Sequence, residues 1–291
     1  MVTNMDFMSG LEKFGFDSSE MGDIFADENG GSSVKRAEVQ KKEKEELKET
    51  DFLFDKSYTC VVCDKEFKSR TVKSSKVRRI GADKDLRPKY MYIDPLKYEV
   101  VSCPYCGYSA TNKYFGHLST LQIKLVKEGV CAKFQPAEET DNEVYSYARA
   151  LVRYKLSLFC TVAKKGKTSE KAYTLLKMSW LCRGQAEELV KNGAAADSEE
   201  VKTVKKEERY FYEQAYEGLT KAVATESFPM CGMDQNTMDL LLAQMSVVLG
   251  KYEIASKLVS RLLVSSTVTS NVKEKAYDLK QELIAVLRAN K

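Results

Sequence analysis

One histidine, one tryptophan and five prolines are all that 291 residues contain of those types. No apolar run exceeds a few residues, far short of the roughly 20 that a membrane-spanning helix needs, so no membrane partner is expected. The first 30 residues are acidic and have no apolar core of a secretory signal, which predicts a cytoplasmic chain with reduced thiols. A Gly-rich phosphate loop with its lysine is missing, as is a nucleophile elbow, and His117 alone offers an imidazole. Catalysis by any of these devices is therefore not expected. Few prolines and 30% charged residues point to a helical protein of one or two domains.

What the chain does have is eight cysteines and an uneven charge. Residues 1–31 carry seven acids against one lysine, net −6, while residues 57–117 carry twelve bases against six acids, net +6. The net +4 of the whole conceals this polarity. Within the acidic head, Phe7, Leu11 and Phe14, then Met21, Ile24 and Phe25, recur at helical spacing before a Gly30-Gly31 break. Such short turns are marginal alone, so 1–33 is expected as a flexible segment, either frayed or docked on a groove of this chain or of a partner. Residues 34–56 interleave both charge signs at i,i+4 spacing, as a solvated helical spacer would.

From 57 to 117 the pattern becomes β-like. Tyr58–Val62, Lys89–Ile93 and Tyr98–Ser102 read as short strands, with Asp94-Pro95 turning the chain between the last two. After His117, apolar residues recur with helical period in about seven stretches, for example Leu151/Tyr154/Leu158/Val162 and Ala276/Leu279/Leu283. Ser169 and Asp234 are expected as N-caps, Gly250 as a helix terminator, and Gly193–Ser198 and Ser265–Asn271 as loops. The expected class is α+β, mainly α: a small β lobe at 57–117 followed by an antiparallel helical array at 118–291.

The chemistry is concentrated in Cys60-Val61-Val62-Cys63 and Cys103-Pro104-Tyr105-Cys106-Gly107. Two cysteines three positions apart aim both sulfurs at one ion from a tight turn whose backbone N–H groups also hydrogen-bond the thiolates; two such knuckles complete a tetrahedron. Gly107 suits a position of positive φ, whereas Asp64 fills the equivalent place less comfortably. Four thiolates leave no open coordination position, so one structural Zn2+ ion is expected at Cys60, Cys63, Cys103 and Cys106, worth about 10–16 kcal/mol to a lobe too small for a large core. Iron is the competing ion, because both knuckles resemble those of rubredoxins; the longer insert and the missing glycine after Cys63 favour zinc. Cys131, Cys160 and Cys182 read as packed thiols, Cys231 as a loop thiol, and His117 as a boundary side chain.

Between the knuckles lie ten bases, from Lys65 to Lys89, followed by Tyr90, Tyr92 and Tyr98. They read as a solvated surface, as a nucleic-acid face, or as a counterpart for the acidic head. Further on, Leu249-Gly250-Lys251-Tyr252-x-x-Ala255 looks like the helix-turn-helix core of a tetratricopeptide-type repeat, whose stacked hairpins bind peptides on a concave face.

The order Tyr58-x-Cys60-x2-Cys63, then Tyr98-x-Val100-x2-Cys103-Pro-x-Cys106-Gly107-Tyr108-x-Ala110, then Phe228-Pro-x-Cys231-Gly232-Met233-Asp234 ahead of the Gly-x-Tyr-x2-Ala unit, resembles the bacterial "domain of unknown function 2225" family over about residues 57–265. That resemblance implies a cytoplasmic bacterial protein with a zinc-ribbon-like lobe fused to tetratricopeptide-like helices. It implies metal ligands at the four cysteines and no reaction. The expected function is a non-enzymatic, zinc-stabilised adaptor binding a protein or peptide through its helices. The alternatives are a nucleic-acid-binding regulator that uses the basic lobe, and a rubredoxin-like iron or thiol redox protein.

Overall fold

The computed structural model describes Gly15, residues 47–137 and residues 143–289. The acidic turns expected at Phe7–Phe14 and Met21–Phe25 lie outside the described residues. So does most of the charged spacer, whose visible end departs from the expected helix. Glu49–Phe52 form a single 3-10 turn, and strand β1 (Leu53–Thr59) begins four residues before the expected lobe boundary.

Three antiparallel ribbons make up the β region. β1 pairs with β2 (Glu66–Val72), β3 (Arg79–Ala82) with β4 (Pro88–Tyr90), and β5 (Val100–Ser102) with β6 (Ser109–Thr111). The expected strands are shorter than the apolar runs that announced them. Tyr58–Val62 stops at Thr59 because Cys60–Cys63 is the turn itself. Lys89–Ile93 stops at Tyr90, since Tyr92 takes a φ of 66° and stacks on Phe52 at 5.8 Å. Tyr98 falls in a 3-10 turn, Pro95–Tyr98, which Asp94 caps by accepting from the Leu96 N–H at 3.1 Å.

Among the described residues seven α-helices follow: α1 (Thr120–Val126), α2 (Tyr147–Ala163), α3 (Thr168–Lys191), α4 (Glu199–Thr225), α5 (Gln235–Val248), α6 (Tyr252–Val264) and α7 (Ser270–Ala289). Asp234 caps α5 through the Thr237 N–H at 2.7 Å, and Gly250, with φ 72°, ends the α5–α6 turn, as their residue types predict. Ser169 is not a cap. α3 begins one residue earlier, and the Ser169 N–H is taken by the Glu226 carboxylate at 2.8 Å, a cap supplied from the far end of α4. The last loop is shorter than expected, because Ser270 and Asn271 already belong to α7.

One hydrophobic core runs through both the lobe and the helices. Phe67, Val100, Tyr108 and Phe115 of the lobe share it with Leu151, Tyr154, Leu158, Leu175 and Leu181. α2 is the shared wall: it is buried on nearly every face from Ala150 to Thr161, with β5 and β6 on one side and α3 on the other. α5, α6 and α7 close a satellite core around Ala243, Ala255, Val259 and Leu279. Ala255 is fully buried where α6 meets α5, the small residue that allows the two helices to approach closely.

Candidate metal centre

The two cysteine pairs occupy the tips of two hairpins built alike. In the β1–β2 hairpin the Cys60 N–H donates to Lys65 O at 3.0 Å and the Asp64 N–H to Cys60 O at 2.8 Å. In the β5–β6 hairpin the Cys103 N–H donates to Tyr108 O at 2.8 Å and the Gly107 N–H to Cys103 O at 3.1 Å. Asp64 and Gly107 hold the same turn position with φ of 60° and 75°. Only glycine fits the second, since a Cβ on Gly107 would run into the Phe134 ring that lies over this knuckle.

These turns bring four sulfurs from two distant stretches together. Cys60 Sγ lies 3.6 Å from Cys106 Sγ, Cys63 Sγ lies 3.6 Å from Cys103 Sγ, and all four fall within 4.8 Å of one another. A tetrahedron with metal–sulfur bonds of about 2.3 Å has edges of about 3.8 Å, so the spacing fits a metal ion. The second set of donors is also in place: the N–H groups of Val62 and Cys63 face the Cys60 sulfur, and those of Tyr105 and Cys106 face the Cys103 sulfur. Hydrogen bonds from the Cys106 and Cys60 thiols hold the Cys103 thiol well below its ordinary range, while its bond with Cys103 pushes Cys60 up. Four sulfurs this close ionise together only around a cation.

Two further thiols attend this centre. Cys131, expected as a packed thiol in a loop, lies in a π-turn (Lys127–Cys131) that extends α1, and hydrogen-bonds the Cys106 sulfur, which lowers its own pKa. Cys160 is buried as expected, but it also braces the second knuckle from below, accepting the Ser109 N–H at 3.3 Å and lying 3.7 Å from Gly107 O. Neither role had a signal in spacing, because each rests on a contact between distant segments. Cys182 is a fully buried core thiol, and His117 is exposed at the lobe boundary.

The model of a family described as an uncharacterized protein conserved in bacteria (DUF2225) matches residues 53–283. The chain belongs to that family. The match begins at the first residue of β1 and ends inside α7, so it takes in both hairpins and the helices beyond the 57–265 stretch that carried the resemblance. No curated protein and no solved structure matches the chain.

The Phe228–Asp234 stretch, part of the resemblance read from the sequence, forms a compact loop before α5. It contains a cis Phe228-Pro229 bond, a Met230–Met233 bridge, and Cys231 at φ 53°. The Cys231 thiol donates to Ser169 O at 3.2 Å, and burial pushes its pKa up to about 11, which keeps it protonated at neutral pH. The loop therefore locks α5 to the start of α3. Beside it lies a polar group that sequence reasoning missed: Glu99 accepts from Tyr154 Oη at 2.9 Å and pairs with Lys177. Burial opposes the charge on Lys177, yet Glu99 and Tyr173 beside it raise the ammonium above its ordinary pKa.

Four of the ten bases between Lys65 and Lys89, together with Lys97, pair with acids of the same chain. Arg87 forms two hydrogen bonds with the Glu187 carboxylate at 2.9 and 2.8 Å, Lys89 pairs with Asp83 at 2.6 Å, and Arg70 pairs with Asp55 at 3.3 Å. Lys97 reaches Glu49 at 2.8 Å, and Lys84 pairs with Glu282 on α7.

Proposed function

We propose that Cys60, Cys63, Cys103 and Cys106 hold one structural zinc ion, and that the chain is a non-enzymatic adaptor of the bacterial cytoplasm that binds a protein or peptide through its helices. The observation that carries the metal reading is the set of four thiol sulfurs, on matched knuckles, at the edge length of a tetrathiolate site. In this reading zinc serves as a staple. It joins the tips of two hairpins that belong to separate two-stranded sheets, and so completes the lobe face that packs on α2.

Partner binding draws support from the C-terminal helices. α5 and α6 form a hairpin with Gly250 at its turn and Ala255 at its contact, as in tetratricopeptide-type units, which stack to present a binding face. Ile254, Val264, Tyr277 and Leu287 leave large apolar side chains exposed on α6 and α7. The pairing of the insert's bases with acids of the same chain favours this reading over nucleic-acid binding.

Metal analysis of purified protein decides between the ions: one zinc per chain in a colourless preparation supports the reading, and a red preparation carrying iron overturns it. For partner binding, full-length protein is used as bait, with and without Ile254→Glu and Leu287→Glu. Proteins captured by the native chain and lost from the double variant support the helical surface. Equal capture by both, or capture of nuclease-sensitive material alone, overturns it.

A further inference from the structure

Of the four cysteines outside the metal centre, one touches the centre from the side that faces solvent. Cys131 hydrogen-bonds the Cys106 sulfur and is partly exposed, with Ala132 and Lys133 at the surface beside it. The other three are placed differently. Cys160 braces the same knuckle from its buried side at 1% exposure, Cys182 lies in the core, and Cys231 donates to Ser169 O at the start of α3. Among the ligands, Cys60, Cys103 and Cys106 are buried, while the partly exposed Cys63 has its sulfur against that of Cys103 at 3.6 Å. A reagent that approaches Cys106 from solvent therefore meets Cys131 first.

The chain holds Cys131 in this position from both sides. Val130 before it is fully buried, and the ring of Phe134 after it lies over Gly107, the residue that follows Cys106. Gly129 packs against Ala163 at the end of α2, where an added Cβ would stand 3.3 Å from the alanine side chain. The Ala132 N–H donates to Lys127 O at 3.1 Å, the five-residue step of a π-turn, and the Phe134 N–H returns to Val130 O at 3.0 Å. Single π-turns of this kind recur at functional sites. Here the turn keeps one accessible thiol against one ligand sulfur, the arrangement of an oxidisable cysteine and its resolving partner.

We propose that Cys131 is an oxidation site that answers hydroperoxides by forming a disulfide with Cys106, which withdraws one of the four sulfurs from the metal centre. In the first step the Cys131 sulfur takes one peroxide oxygen: an S–O bond forms, the O–O bond breaks, and water leaves from hydrogen peroxide. In the second step the Cys106 sulfur attacks the sulfenic acid at Cys131. The S–S bond forms, the S–O bond breaks, and the departing hydroxide takes a proton to become water. Two electrons pass from the two sulfurs to the peroxide, so the balance closes with no further reagent. An S–S bond of about 2.05 Å takes Cys106 out of the tetrahedron and leaves Cys60, Cys63 and Cys103 to hold the ion less tightly. Release of the ion rests on the zinc reading above; formation of the disulfide does not.

Purified full-length protein treated with hydrogen peroxide tests the proposal through two readouts, a chromogenic chelator for released zinc and peptide mapping without reduction for the cross-link. The expected result is a Cys106–Cys131 disulfide that accumulates as zinc appears and is lost on adding dithiothreitol. Cys131→Ala should slow release per bound zinc at least about tenfold, while Cys182→Ala releases it at the native rate. Mapping of the native chain needs no variant, so it decides the matter even where Cys131→Ala fails to fold. A cross-link confined to Cys63 and Cys103 overturns the proposal, as does Cys131 recovered as a free thiol or a sulfinic acid, or native-rate release from Cys131→Ala. Protein that purifies without zinc overturns the metal reading alone, and the presence or absence of the Cys106–Cys131 cross-link still decides this one.

Discussion

Asp85, in the turn between β3 and β4, accepts the indole N–H of Trp180, the single tryptophan, at 3.1 Å. The same carboxylate takes two N–H groups of Arg183 at 3.1 and 2.8 Å, one helical turn further along α3. Asp85 is 4% exposed, so a loop of the cysteine lobe buries its charge in the helical domain and finds both its donors there.

Without Asp85 the buried Trp180 N–H loses its acceptor, while Arg183 keeps Glu208 at 2.7 Å and Asp83 at 3.3 Å. Asp85→Ala should therefore cost about 1–3 kcal/mol, the range of an unsatisfied buried donor, and Asp85→Asn less, because it retains an acceptor for the indole. Urea unfolding followed by the fluorescence of Trp180 measures both. Equal midpoints for the native chain and Asp85→Ala would mean that the contact holds nothing together.

On the zinc reading proposed above, loss of the ion should unfold the lobe before the helices. Cys60→Ser or Cys106→Ser should abolish stoichiometric zinc and lower the melting temperature, whereas Cys182→Ser should leave zinc content intact. Protons compete with the ion for the thiolates, so zinc should be released as pH falls, and a chromogenic chelator reads the midpoint. Zinc retained by the Cys60 variant would remove that residue from the ligand set.

Cys231 should be inert to alkylation at neutral pH, because burial holds its pKa up at about 11. Its labelling by iodoacetamide should rise only as pH approaches that value. The sign for stability follows: the protonated thiol's contribution is complete below the ordinary cysteine value of about 8.5 and is lost as pH climbs through 11. Fast labelling at pH 7 would show a thiolate that the loop does not allow.

Asp83 carries the opposite dependence. Burial pushes its carboxyl up, but Lys89, Arg87 and Arg183 together bring it below the ordinary range. Its contribution is therefore present above about pH 3.9 and lost as pH falls through the lowered value. Asp83→Asn should flatten the acid side of a stability profile and leave the alkaline side unchanged.

Glu226 caps α3 from outside the helix. Glu226→Ala should cost about 0.5–2 kcal/mol, the range of a lost N-cap, and Glu226→Gln less, since an amide oxygen still accepts. Chemical denaturation separates the two; an alanine variant as stable as the native chain would assign the cap elsewhere.

Much of this was legible in the residues. The C-x2-C pairs announced their own turns, because three-residue spacing with a residue tolerating positive φ is a local requirement. The helices announced themselves through the period of their apolar residues. Strand ends were less legible: Tyr58–Val62 looks uniformly β-forming, and only the meeting of the two knuckles shows that Cys60 begins a turn. Ser169 looked like a cap because its side chain suits one, yet a carboxylate 57 residues away does that work.

By itself, then, the sequence determined the four thiol donors, their two knuckles and a predominantly helical chain, all properties set by sterics and hydrogen bonding over a few residues. Only the tertiary structure decided that lobe and helices share one core, and that Cys131 and Cys160 attend the centre. It also decided that Arg87 and Asp85 tie the lobe to α3 instead of lying on a solvated surface. The energy of a charge depends on its burial and on what faces it, and for these residues the facing group comes from a distant part of the chain.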